Sequence, residues 1–167
     1  KNNVKIQQNG ILLYGLNSSG KSSLLRTIGT NVVLAQAGLY VSASTFEYYP
    51  FEKCLTKIAT TDDMFRGHST FIVEMNELNE ILNANENTLV LCDELTSGTE
   101  TSSATSIVAT TLHYLLQKKV NFICTTHLHG IMKFDDIVQK PNLNIFHFKV
   151  HVKNGKLICD RTLEEGS

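Results

Sequence analysis

Two short stretches of this sequence carry residue types at spacings suited to phosphate chemistry. The first is Gly15-Leu16-Asn17-Ser18-Ser19-Gly20-Lys21-Ser22, followed by Ser23, which fits the P-loop pattern Gly-x-x-x-x-Gly-Lys-Ser without a gap. Each fixed position has a physical reason. The glycines let the backbone curl so that successive N–H groups point at one anion. A helix starting after Gly20 would aim its positive end at the same anion. Lys21 would reach the β- and γ-phosphates of a nucleotide, and the Ser22 hydroxyl would take a Mg²⁺ position. A chance Gly-rich turn is the competing reading. It matches the four fixed positions in roughly one percent of chains this long, and chance does not also supply a strand before and a helix after. ATP and Mg²⁺ are therefore the expected ligands.

The second stretch is Thr88-Leu89-Val90-Leu91-Cys92-Asp93-Glu94, an apolar run ending in two carboxylates. Such a strand places them at the C-terminal edge of a sheet, where open α/β folds bind ligands. Asp93 would hold Mg²⁺, directly or through water, and Glu94 would act as general base on the attacking water. Adjacent carboxylates at a strand end are often mere solvation, and it is the company of the Gly-rich loop that favours catalysis. A glutamate beside the aspartate suits water as nucleophile, unlike the small-molecule kinases that share the loop. His127 closes the next apolar strand, Val120 to Thr126. A satisfied core histidine is the plainer reading, but a strand beside that of Asp93 would let the imidazole sense a γ-phosphate. His129, His147 and His151 do not join His127 in any common zinc spacing.

The elements that must position these groups can be read from the apolar periodicity. Ile11 to Tyr14 reads as a strand and Ser22 to about Ala37 as a helix, with Leu24, Leu25, Ile28, Val32 and Ala35 in step and Gly38 as its stop. Leu39 to Thr60 is rich in Tyr, Phe, Thr and Val and predicts short strands with turns around Pro50. Phe71, Met75, Leu78 and Leu82 mark an amphipathic helix with Glu74, Glu77 and Glu80 on its other side. Ala104, Val108, Leu112 and Leu115 mark another helix. Asn144 to Val152 and Lys156 to Asp160 predict an antiparallel hairpin around Asn154-Gly155. Strands alternating with helices imply an α/β fold with a doubly wound, mostly parallel sheet and antiparallel strands at the C-terminal end.

The 167 residues suit one domain, and 42% hydrophobic with 19% charged is a globular composition. A net charge of −1 gives no nucleic-acid footprint, so DNA gripping is expected of other segments. Cys54, Cys92, Cys124 and Cys159 are scattered and read as free thiols in a reducing compartment. No run approaches a membrane span and no secretory signal is evident, so the expected location is intracellular. Lys1 to Gly10 is polar and Glu165-Gly166-Ser167 reads as loop, which suggests a single domain, 1–167, excised from a longer protein.

Four stretches resemble the ATPase domain of the MutS DNA mismatch-repair family, a P-loop NTPase of the ABC-ATPase kind. They are Gly15 to Ser23, Leu34 to Ala43, Asp62 to Met75, and Leu89 to Thr101 together with Thr125-Thr126-His127. The most telling is Ser69-Thr70-Phe71-Ile72-Val73-Glu74-Met75, standing where other ABC-type ATPases carry Leu-Ser-Gly-Gly. The resemblance covers about Gly10 to Phe148. It implies a nucleotide sandwiched in a homo- or heterodimer of like domains, with Asn17 oriented toward the partner subunit and Ser69 contacting the partner's γ-phosphate. It also implies Lys21, Glu94 and His127 as catalytic residues, and Leu95 to Thr101 as a loop passing between subunits. Mismatched or otherwise structured double-stranded DNA would be engaged by domains outside this segment. Leu16 stands where the family commonly has proline, Ser97 where it has arginine, and His68 where a basic residue is common. These departures point to a divergent viral or organellar branch. The aromatic that stacks on adenine in this family would precede the chain, and the dimer-locking helices would follow it. Two other functions compete: another ABC-type repair or chromosome-maintenance ATPase, and a nucleotide-sensing switch with weak hydrolysis.

Overall fold

In a computed structural model, the structure describes residues 2–6, 10–15, 19–58, 70–96, 100–153 and 156–166. Six strands form one sheet: β1 Gly10–Tyr14, β2 Lys53–Lys57, β3 Thr88–Asp93, β4 Asn121–Thr126, β5 Leu143–Lys153 and β6 Lys156–Glu165, in the order β2-β3-β4-β1-β5-β6. The first five run parallel, and β6 returns antiparallel to β5. Helices α1 Lys21–Gln36, α2 Thr70–Leu82, α3 Thr101–Gln117 and α4 Asp135–Val138 connect them, with a 3₁₀ turn at His129–Lys133.

Parallel strands covered on both faces must be apolar on both, and alternate residues here feed two cores. Leu12, Val90, Cys92, Phe122 and Cys124 point to one face, where they meet Leu78 and Ile81 of α2 and Val108, Leu112 and Leu115 of α3. Ile11, Leu13, Leu89, Leu91 and Ile123 point to the other and meet Leu25 and Val32 of α1. Each such leucine taken fully out of water contributes about 1.5–3 kcal/mol. Helix α1 lies close on the sheet because of Gly29, where an added Cβ would come within 2.7 Å of Leu91 Cδ1. The α/β fold with its mostly parallel sheet and C-terminal antiparallel pair is the one the periodicity predicts. Among the described residues no helix is long and apolar enough to cross a membrane.

Three local expectations are corrected. Leu39 to Thr60 was expected to form several strands, but its described part holds only β2. The preceding segment runs beside α1, and side chains supply several of the hydrogen bonds that a ladder would give. Gln36 both donates to Phe51 O (3.1 Å) and accepts from Phe51 N (3.0 Å), while Asn31 accepts from Ser42 N (3.0 Å). Second, Glu74 is not on a solvated face: it is buried in the same stripe as Leu78 and Ile81, spaced by four and three. Glu77 and Glu80 instead pair with Lys57 (3.0 Å) and Lys53 (2.9 Å) of β2. Third, β6 continues past Asp160 to Glu165, so Glu165 is strand rather than loop, and Gly166 just beyond it donates its N–H to Ile145 O (2.9 Å), while Ser167 lies outside the described residues. The hairpin turn at Asn154-Gly155 lies outside the described residues.

Candidate functional site

Strand β1 delivers the chain to the glycine-rich loop at the C-terminal edge of the sheet. Gly15 (φ 142°) and Gly20 (φ 106°) bound it in backbone conformations that a side chain would disfavour. Leu16, Asn17 and Ser18 lie outside the described residues. Helix α1 then begins at Lys21 with no side-chain cap on its first turn and no acidic residue in it. Its N-terminal amides therefore face the loop with the positive end of the helix behind them. Lys21 is buried and folds back to donate to Gly15 O (2.7 Å). Burial pulls its ammonium below the usual lysine range, and the nearby carboxylates of Glu94 and Asp93 partly oppose that. Ser19 is buried and its hydroxyl finds no hydrogen-bond partner among the described residues, Ser22 is half-buried and Ser23 exposed.

The carboxylate end is built by two strands in register, Asp93 opposite Thr125. The Thr125 hydroxyl donates to Asp93 Oδ1 (2.7 Å) and accepts from the Glu94 backbone N–H (3.3 Å). Consecutive strand residues face opposite sides of a sheet. Glu94 escapes that alternation by adopting φ 60°, a left-handed conformation costing an L-residue roughly 1–2 kcal/mol. Its carboxylate thereby reaches the next strand end, where His127 Nδ1 lies 2.8 Å from Glu94 Oε1. Loop, carboxylates and histidine thus share one sheet edge, since β1, β3 and β4 run parallel and β4 lies between the other two.

Several participants had been assigned no role from the sequence. Thr125 is the bridge between the two carboxylate residues, and its signal was a hydroxyl at the end of an apolar strand, two residues before His127. Tyr14 hydrogen-bonds His129 Nδ1 just before the loop, their rings edge to face at 5.2 Å. Cys159 of β6 contacts the loop itself, its thiol donating to Ser19 O (3.3 Å). Ser69 and the stretch Ser97-Gly98-Thr99 lie outside the described residues. The cysteines are free, and Cys92 and Cys124 are buried side by side across β3 and β4. The Cys92 thiol and burial push Cys124 well above the ordinary thiol range, which suits packing rather than reactivity.

The family model for MutS domain V matches residues 11–167. The chain belongs to the MutS family. It is 41% identical over 98% of its length to the mitochondrial DNA mismatch repair protein mutS homolog of Sarcophyton glaucum, and 39% identical over 95% to a putative mutS homolog of Acanthamoeba polyphaga mimivirus. It is 38% identical over 87% to human MutS protein homolog 4. The match takes in 16%, 15% and 16% of those proteins, so the chain corresponds to about one sixth of each. Two of these MutS relatives are organellar and viral, the sources to which Leu16, His68 and Ser97 pointed.

The Thr125 bridge can be tested without reference to any ligand. Thr125→Val keeps the shape but strands Asp93 Oδ1 and Glu94 N–H at a nearly buried position, and should cost about 1–3 kcal/mol in denaturant unfolding. Thr125→Ser should lose much less. Equal stability of the valine variant and the parent would contradict the bridge.

Proposed function

We propose that this chain is the ATP-binding and ATP-hydrolysing domain of a MutS-type mismatch-repair protein, with a P-loop NTPase fold of the ABC-ATPase kind. The observation that carries the reading is Glu94, turned out of its strand at φ 60° and hydrogen-bonded to His127, one residue beyond an Asp93 held by Thr125. A structural carboxylate needs no such turn. A general base does, because it must leave the sheet while its neighbour stays to bind.

In this mechanism the polyphosphate lies over Gly15 to Ser23. Its β-phosphate meets the amides of the loop and of the α1 N-terminus, and Lys21 moves from Gly15 O onto the β- and γ-phosphates. Asp93 and Ser22 fit a hard divalent cation, since both offer oxygen and Thr125 takes only one Asp93 carboxylate oxygen. Bound there, Mg²⁺ would neutralise phosphate charge. His127 holds one Glu94 oxygen, leaving the other to accept a proton from water as that water attacks the γ-phosphorus. The bond to the β–γ bridging oxygen breaks, giving ADP and inorganic phosphate.

Glu94→Gln should retain ATP binding and lose turnover by roughly 100-fold or more, while Lys21→Ala should lose binding itself. Filter binding and phosphate release separate the two. A glutamine variant that hydrolyses at the parent rate would sink the assignment of the base.

The working unit is a homo- or heterodimer. Ser69 immediately precedes α2, and the family resemblance of Asp62 to Met75 supports its contact with the γ-phosphate held by the other subunit. Turnover per chain should therefore rise with protein concentration, and full turnover by a dilute monomer would contradict the shared site. The nucleotide state would shift the arrangement of the two subunits and, through it, the grip of other domains on mismatched or otherwise structured double-stranded DNA inside the cell. A parent protein whose DNA affinity is the same with ATP and ADP would contradict that coupling.

A further inference from the structure

Strand β2 stands at one end of the sheet order, and alternate residues along it face opposite sides. Cys54 packs into the core under α1, whereas Leu55 packs into the core that holds Leu78 and Ile81 of α2. Lys53 and Lys57, two residues to either side of Leu55, therefore face α2 as well. There they meet Glu80 (2.9 Å) and Glu77 (3.0 Å). The two pairs are not equivalent. Lys53 and Glu80 are 55% and 58% exposed, and an ion pair so open to water and salt positions little. The Lys57 side chain is only 12% exposed and its ammonium is out of contact with water, with the Glu77 carboxylate as the counter-charge that the described residues offer it. An ammonium taken out of water is stable only beside its counter-charge, so Lys57 and Glu77 fix each other's positions.

Lys57 is the last residue of β2 and stands opposite Cys92, one residue before Asp93. Helix α2 runs back against β2, since Lys57 at the end of the strand meets Glu77, and Lys53 at its start meets Glu80 further along the helix. The start of α2 thus lies toward the sheet edge that carries Asp93 and Glu94. Its apolar hold thins in that direction: Leu78 and Ile81 are buried, Met75 is packed only in part, and Ile72 is exposed. The Lys57–Glu77 pair ties this leading half of the helix to the end of β2.

Resting on the dimeric ATPase proposed above, we infer that Lys57 is a positioning residue that acts in trans. Held by Glu77, its ammonium sets the reach of the leading half of α2 toward the γ-phosphate bound by the partner subunit. It touches no nucleotide and serves the partner's site rather than that of its own chain. Because Lys57 sits beside the strand that ends in Asp93, the contact given to the partner is set from the same sheet edge that holds the chain's own carboxylates.

The test compares variants of the full chain, reading phosphate release at protein concentrations where parent turnover has levelled off, and ADP affinity by equilibrium titration. Lys57→Met should bind ADP as tightly as the parent and lose about tenfold or more in saturated turnover. Glu77→Gln removes the same tie from the exposed side and should behave alike. Lys57→Arg should recover most of the loss, and Lys53→Met, which breaks the exposed pair, should lose none. An equimolar mixture of Lys57→Met and Glu94→Gln separates a role in trans from a general one. In a mixed dimer the first chain supplies an intact nucleotide site and the second an intact α2. Phosphate release should then return to about a quarter of the parent rate, since random pairing makes half the dimers mixed and each has one working site. A mixture no faster than the average of its components, or a Lys57→Met chain that turns over like the parent, would overturn the inference. Loss of ADP binding by both Lys57→Met and Glu77→Gln would overturn it too, by placing the pair in its own chain's site. Parent turnover that does not depend on protein concentration would instead overturn the shared site of the proposed function, which keeps the two failures apart.

Discussion

The hydroxyl of Thr125 is the smallest group in the site and the one on which its geometry depends. By donating to Asp93 and accepting from the Glu94 amide it ties the ends of β3 and β4 at the point where β3 must stop. Without a partner there, the Glu94 amide would have no reason to turn outward and the left-handed backbone at Glu94 would cost roughly 1–2 kcal/mol with nothing returned. A hydrogen bond to a charged group contributes about 1.5–3 kcal/mol, so the Thr125–Asp93 contact alone covers that strain. The interaction of His127 with Glu94 then orients a carboxylate that the turn has already delivered.

Everything behind that edge exists to hold it still. The β3 and β4 strands are buried on both faces, so a one-residue slip of either would exchange its two cores and is strongly disfavoured. Asp93 stays opposite Thr125 for that reason. Gly29 lets α1 settle on Leu91, which fixes the helix whose first turn bounds the glycine-rich loop. The end of the loop is also held from the far side, because Cys159 of β6 donates to Ser19 O.

Much of this was legible in the sequence. The apolar runs in Ile11 to Tyr14, Thr88 to Cys92 and Val120 to Thr126 are unambiguous because a strand buried on both faces is apolar through its middle, the buried polar residues Thr88, Asn121, Thr125 and Thr126 falling toward the strand ends. The glycine-rich loop and the Asp93-Glu94 pair are readable because their chemistry fixes residue types at fixed spacing. What escaped were features set by tertiary register. Thr125 is an ordinary strand residue until it stands opposite Asp93. Glu74 looked solvated beside Glu77 and Glu80, yet α2 is rotated so that Glu74 shares the buried stripe of Leu78 and Ile81. The aromatic stretch after Gly38 suggested strands by composition, but Gln36 and Asn31 of α1 satisfy part of its backbone instead. The register shift between β5 and β6, which leaves Lys149 opposite Asp160, Arg161 and Thr162, gave no sign at all, because a bulge cannot be read from a hairpin's sequence.

The central claim is that the Gly15 to Ser23 loop and the Asp93–Glu94–His127 edge form one site for a single nucleotide. The most direct measurement is a crystal structure of the full chain with Mg²⁺ and a non-hydrolysable ATP analogue. The account predicts Lys21 Nζ withdrawn from Gly15 O and bonded to the β- and γ-phosphates, with a water held between Glu94 and the γ-phosphorus. Nucleotide bound elsewhere, or bound with Lys21 still on Gly15 O and Glu94 facing no phosphate, would contradict it.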